Sequence, residues 1–171
     1  MPSNVEIKAR LPGKLRALTI VKELSGAEGA LLEQADTFYH VPHGRLKLRV
    51  VGKSTSGELI SYIRPDVAGP KLSTFTTSRV ENATALNLVL SESLGILGEV
   101  KKKRMLFIVG QTRVHIDSVD DLGDFLELEV MMCEGQSIAE GQSIATDMMK
   151  KLGVDEKDLI TGAYMDLLCK K

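Results

Sequence analysis

The chain has no tryptophan, and aromatic residues fill only 4% of its 171 positions. That is too few rings for the stacking platforms that hold single-stranded nucleic acid. There are only two cysteines, Cys133 and Cys169, and they lack metal-ligand spacing, so a reducing, cytoplasmic setting is expected. No apolar run approaches the roughly 20 residues that span a bilayer. The opening MPSNVEIKARL carries charges where a signal peptide is apolar, so no membrane association is expected. An excess of one charge sign is also missing: 22 Lys and Arg stand against 23 Asp and Glu, a net charge of -1. This excludes binding of nucleic acid through bulk positive charge. Hydrophobic residues at 43% and charged residues at 26% exclude general disorder. The length suits a single domain over 1–171.

What the chain does have is alternation. Asn4, Glu6, Lys8 and Arg10 fall on one face of the first segment and Val5, Ile7, Ala9 and Leu11 on the other, the period of a strand. Leu15, Leu18, Ile20, Val21 and Leu24 then recur at helical spacing up to Gly26, a plausible helix stop. Further strands are predicted at Leu31–Tyr39, Arg45–Val50, Glu58–Arg64, Leu72–Val80, Val100–Val109, Gln111–Asp117 and Phe125–Val130. Helices are predicted at Asn82–Leu94, with Asn82 as cap, and near Ile138–Leu152 and Asp155–Leu168. The hexapeptide EGQSIA occurs twice in tandem, at Glu134–Ala139 and Glu140–Ala145. Six residues are too few for a solenoid unit, so this reads as a small duplication lengthening a loop or a helix start.

The polar faces carry the chemistry. Glu6, Lys8 and Arg10; Arg45, Lys47 and Arg49; Glu58 and Arg64; Lys102 and Arg104; Arg113 and Asp117; and Glu127 and Glu129 each share one face of a strand. One such strand is the ordinary wet side of an antiparallel sheet. Six together are unusual, because solvent faces mix Ser, Thr and Gln with scattered charge. Like charges two residues apart also repel unless something sits between them. The amphipathic helices need an apolar partner, which the other side of the sheet provides. A sheet with its apolar side under helices and its charged side inward is a closed barrel with a polar lumen. Clustered Arg and Lys suit a phosphate chain, and clustered carboxylates suit a hard divalent cation. Both on one surface suggest a metal–polyphosphate complex.

The segments VEIKAR (Val5–Arg10), QADTFYHVPHGRLKLR (Gln34–Arg49), VKKKR (Val100–Arg104), HIDSVDDLGDFLELE (His115–Glu129) and AYMDLL (Ala163–Leu168) resemble the CYTH family of triphosphate tunnel metalloenzymes. Within it the chain is most similar to class IV adenylyl cyclase-like and thiamine triphosphatase-like proteins. The resemblance implies an α+β fold: an eight-stranded antiparallel closed β-barrel, or tunnel, with a polar lumen and helices outside. It implies a small phosphorylated substrate and Mg2+ or Mn2+. By this resemblance Lys8, Lys47, Arg49, Arg64, Lys102, Arg104 and Arg113 bind phosphate, and Glu6, Asp117, Glu127 and Glu129 bind metal. Lys8, Arg49 and Glu129 carry catalysis, and Tyr164 joins Arg113 as a lumen or rim residue. The family's first strand reads Glu-x-Glu-x-Lys, and here Asn4 stands in place of the first Glu. Asn4 either weakens the metal site or sits at the strand's start facing solvent.

The implied function is metal-dependent hydrolysis of a triphosphate: inorganic, nucleoside or thiamine triphosphate. A cyclase or lyase releasing pyrophosphate from an organic di- or triphosphate needs the same electrostatic cradle, so residue types leave both open. A non-catalytic polyphosphate-binding module is a further alternative, motivated by Asn4. His115 shares a face with Arg113 and Asp117 and suits acid–base work or simple hydrogen bonding. His40 and His43 read as loop residues, and Met131-Met132 and Met148-Met149 as core fillers.

Overall fold

Each alternating segment forms a strand. The computed structural model describes residues 2–170. Its strands are β1 (Ser3–Arg10), β2 (Ala30–Tyr39), β3 (Arg45–Val51), β4 (Gly57–Ile63), β5 (Lys71–Val80), β6 (Ile96–Val109), β7 (Thr112–Val119) and β8 (Gly123–Met131). The helices are α1 (Lys14–Ser25), α2 (Ala83–Leu94), α3 (Ile138–Lys151) and α4 (Tyr164–Cys169). The strands close in the order β1-β5-β4-β3-β2-β6-β7-β8, every pair antiparallel. Closure leaves no strand with a free edge along its whole length. The α+β tunnel with helices outside is therefore the fold of this protein. No helix among the described residues is long and apolar enough to cross a membrane.

The apolar sides of the strands face outward, beneath helices. Val5, Ile7, Val114, Ile116, Leu126 and Leu128 are fully buried there against Ala17 and Val21 of α1 and Ala145, Met148 and Met149 of α3. Each such side chain contributes about 1.5–3 kcal/mol on leaving water. Helix α2 covers Tyr39 and Leu48 through Ala83, Leu86 and Leu90. The caps follow the sequence: Asn82 Oδ1 accepts from Ala85 N at 3.0 Å, and Gly26 ends α1 in the left-handed region at φ 66°.

The C-terminal segment differs from the sequence expectation. The predicted helix over Asp155–Leu168 is instead a 3-10 turn at Glu156–Asp158, an extended stretch, and α4. The reason lies in the barrel. Strand β5 pairs with β1 only from Ser3 to Glu6, so the far end of β1 is left uncovered. Residues 159–160 fill that edge: Leu159 bridges Ala9, and Ile160 N donates to Lys8 O at 3.0 Å. Tyr164 and Met165 then close one end of the tunnel against Phe38, Val100, Val119 and Phe125. Strand β6 also starts earlier than predicted, at Ile96, because β2 pairs with it along its whole length.

The repeated hexapeptide adopts two structures. In the first copy Gly135 turns at φ 78°, and Ser137 caps α3 in a capping box with Glu140. The second copy lies within α3. Its Gly141 is buried, and a Cβ there would stand 2.6 Å from Met132 Sδ and 2.8 Å from Val5 Cγ2. Val5 is a stiff, fully buried neighbour, so α3 can approach β1 this closely only over a glycine. Gly141→Leu is expected to lower the unfolding free energy by about 2–3 kcal/mol in urea titration through overpacking.

Candidate active site

Because β-strand side chains alternate, the register decides which charges meet inside. Pairing of β1 with β8 sets Lys8 opposite Glu127 and Glu6 opposite Glu129. Pairing of β8 with β7 sets His115 opposite Glu127 and Arg113 opposite Glu129. Arg104 faces Asp117 across β6 and β7, and Asp36 faces Arg49 across β2 and β3. Apart from Asp117, which lies behind Arg104, these residues surround a cavity of about 210 Å³ lined by seven Lys and Arg side chains and five carboxylates. Tyr164 closes it at one end, with its ring 3.8 Å from Lys8 Nζ. Glu58, Thr77 and Arg113 are exposed and mark the open mouth.

The interior is a set of ion pairs. Arg104 donates from Nε and Nη2 to Asp117 at 2.7 Å and reaches Glu127 Oε2 at 2.8 Å. Tyr164 Oη also donates to Asp117 Oδ2 at 2.7 Å. Lys8 Nζ lies 3.8 Å from Glu127 Oε2, and Arg64 bonds Glu6. Arg64 Nε and Nη2 are buried and have no partner among the described residues. A buried charged donor without a partner costs several kcal/mol unless a ligand supplies one, so these atoms suit an anion.

Burial and neighbours set the protonation states. Burial would raise the Glu127 carboxyl, but Lys8 and Arg104 overcome it and hold it well below the usual range. Glu129 goes the other way: burial, then the charges of Glu127 and Glu6, push it up to about 7. Burial, with Arg104 beside it, drives His115 down to about 3, so its ring is neutral at pH 7. Burial and Arg49 bring Lys47 down to about 8.

His115, Glu127 and Glu129 present ligand atoms that all lie within 4.8 Å of one another. The donor set fits a hard or borderline divalent cation: two carboxylates and a neutral imidazole. His115 Nδ1 is buried without a hydrogen-bond partner among the described residues, 4.0 Å from Glu129 Oε1. The Glu129 carboxyl is raised first by burial and then by the charges of Glu127 and Glu6, and a cation beside it would favour its ionised form.

The structure brings most of the sequence-predicted residues into this one cavity: Glu6, Lys8, Lys47, Arg49, Arg64, Lys102, Arg104, Arg113, Glu127 and Glu129. Asp117 is fully buried, its carboxylate taken by Arg104 and Tyr164. Asn4 is 4% exposed and lines the cavity, not solvent; its Oδ1 has no partner among the described residues. Arg10 is exposed, outside the cavity, and Arg45 bonds Asp166 of α4 at 2.6 Å. Sequence reasoning missed Asp36, Gln34 and Lys71. Alternation of Gln34, Asp36 and Phe38 was the available signal for the first two. Lys71 is 2% exposed and donates from Nζ to Val67 O and Thr161 O, both at 2.9 Å, tying the β4–β5 connection to the closing segment.

The CYTH domain model matches residues 3–164, and the chain belongs to the CYTH family. No curated protein matches it in sequence. Among solved structures it is similar to PH1012 of Pyrococcus horikoshii OT3, with a TM-score of 0.81 and 22% identity over 96% of this chain and 98% of that one. It is also similar to a candidate adenylate cyclase of Vibrio parahaemolyticus, with a TM-score of 0.75 and 18% identity over 97% of each chain. The candidate adenylyl cyclase HpAC1 of Hippeastrum, for which a dominant triphosphatase activity is described, has a TM-score of 0.61 and 14% identity over 94% of this chain and 91% of that one.

The Glu129 carboxyl makes a signed prediction. Unfolded, a Glu titrates near 4.5; folded, this one titrates at about 7. The folded state therefore holds the proton more tightly, and stability from this group is lost as pH rises from 4.5 through 7. Glu129→Gln removes that loss. Urea unfolding should find the variant more stable than wild type at pH 8, by roughly 2–3 kcal/mol, and nearly equal to it at pH 4.5.

Proposed function

We propose that this protein is a metal-dependent phosphohydrolase acting on a triphosphate, inorganic or carried by a nucleoside or thiamine, bound in a single tunnel domain over residues 1–171. The observation that carries the reading is the meeting of two groups in one cavity closed at one end: cations on β1, β3 and β6 together with Arg64 just after β4, and the His115–Glu127–Glu129 cluster on β7 and β8. The charge balance supports a metal–phosphate complex over a bare polyanion. Seven cations in the wall are already set against five carboxylates, with Asp117 behind them. A bare triphosphate would leave a large negative excess there.

Lys8, Lys47, Arg49, Arg64, Lys102 and Arg104 hold the phosphate chain, and Arg113 meets it at the mouth. Glu127, Glu129 and His115 would hold Mg2+ or Mn2+, with Glu6 adjoining and Asp117 fixing Arg104. The cation, when bound, offsets charge on the phosphate oxygens. Lys8 and Arg49 take up the charge that builds on the equatorial oxygens as the terminal phosphorus is attacked by water. Arg104, held by Asp117 and Glu127, keeps its guanidinium in place through that step, so no reorganisation is needed. The Tyr164 plug excludes bulk water from the closed end and strengthens every charge interaction there. A cytoplasmic setting accords with Cys133 and Cys169, which carry free thiols.

The test is release of phosphate and of pyrophosphate from tripolyphosphate, ATP and thiamine triphosphate, with Mg2+, Mn2+ or EDTA. Phosphate release abolished by EDTA is the expected result, and Glu129→Gln should lower kcat by roughly 100-fold or more. Pyrophosphate as the sole product would replace hydrolysis with a cyclase or lyase reaction. Tight binding without turnover of any substrate would leave a binding module.

A further inference from the structure

Asp36 sits at the centre of the cationic wall. Alternation on β2 turns Gln34, Asp36 and Phe38 into the tunnel, and Asp36 is only 1% exposed. Its cross-strand partner Arg49 donates from Nε to Oδ1 and from Nη2 to Oδ2, both at 2.7 Å. Lys102 Nζ reaches Oδ2 at 3.1 Å and Lys47 Nζ at 3.3 Å. One carboxylate thus gathers three cations from β3 and β6, the strands on either side of β2.

Three cations at one buried point repel strongly in a low dielectric, and burial favours loss of a proton from each lysine. A guanidinium and two ammoniums also carry far more N–H donors than one carboxylate accepts, so most stay available to a ligand. We propose that Asp36 is a positioning residue whose buried carboxylate fixes Arg49, Lys47 and Lys102 in one arrangement, so that a polyphosphate chain meets a preassembled cation triad. Asp36 does this without touching the reacting atoms. The inference rests on the reading of the tunnel as a polyphosphate site.

The charged and ring groups around the two lysines are few. Lys47 is faced by Asp36, Arg49, Glu127 and Lys8, with the Phe38 and Tyr62 rings at 5.6 and 5.3 Å. Lys102 is faced by Asp36, Arg104, Arg49 and Lys47, with the Tyr164 ring at 5.7 Å. Asp36 is the carboxylate that contacts both.

Calorimetric titration of full-length protein with inorganic tripolyphosphate from pH 6 to 10 tests the assignment. Asp36→Asn should bind at least about tenfold more weakly at pH 7, and its loss of affinity on the alkaline side should begin about one pH unit or more below that of wild type. Asp36→Glu, which keeps the charge but moves it, should restore the wild-type alkaline limb while staying weaker at pH 7. A folded Asp36→Asn with wild-type affinity and limb overturns the proposal. If Asp36→Asn does not fold, Asp36→Glu decides: wild-type affinity at pH 7 overturns the proposal, and weaker affinity with an unmoved limb supports it. Wild-type protein that binds no tripolyphosphate, with or without Mn2+, overturns the functional reading instead. The anchor is then judged in unliganded protein by NMR titration of the Lys47 and Lys102 ε-methylenes. Titration at the same pH in Asp36→Asn as in wild type overturns it, and a lower pH supports it.

Discussion

Everything in this molecule depends on pairing charge with charge inside a barrel whose apolar side faces out. An ordinary small barrel fills its interior with apolar side chains. Here Arg104, Asp117, Glu127, Lys8, Glu6, Arg64, Asp36, Arg49, Lys47 and Lys102 occupy it, and each has at least one opposite charge within 4.0 Å. Isolated, any of these ions would cost several kcal/mol to bury. Paired and hydrogen-bonded they are tolerated, and they form a rigid polar wall. Hydrophobic stabilisation is moved outside, to the contacts of α1, α2 and α3 with the outer faces of the strands.

That inversion has a functional consequence. Pairing leaves most cation donors unspent while holding their positions, which is the preorganisation a charged ligand needs. The acidic side is less settled. Glu127 is held ionised by Lys8 and Arg104 against its burial, whereas Glu129 is pushed up to about 7 by burial and by Glu127 and Glu6. Two neighbouring carboxylates thus have different proton affinities because of what surrounds them, and the imbalance lies where His115 completes the acidic cluster. Asp36 offsets only part of the charge of Arg49, Lys47 and Lys102, whereas His115, Glu127 and Glu129 bring two carboxylates together where a cation would offset them.

The strands were legible because alternation of apolar and charged residues has a period of two and leaves a mark in the chain. The tunnel was inferable from the joint content of those faces, and ten predicted site residues line the one cavity. Asp36 was invisible as a charge cluster because it is the one charged residue on its face of β2, between Gln34 and Phe38, and acquires its three cations only through β3 and β6. The predicted C-terminal helix failed for a related reason. Residues 159–160 satisfy the uncovered end of β1, a demand set by the length of β5 pairing and not by the local sequence.

The sequence by itself determined the faces: which side chains share one side of each strand, which helices are amphipathic, and where Asn82 and Gly26 begin or end them. These follow from local periodicity and capping, which neighbouring residues alone decide. Only the tertiary structure decided which faces meet: that Asp117 serves Arg104, that His115 joins Glu127 and Glu129, that Asn4 looks inward, and that Tyr164 plugs one end. Those pairings depend on the register between strands far apart in the chain, and register is fixed only when the barrel closes.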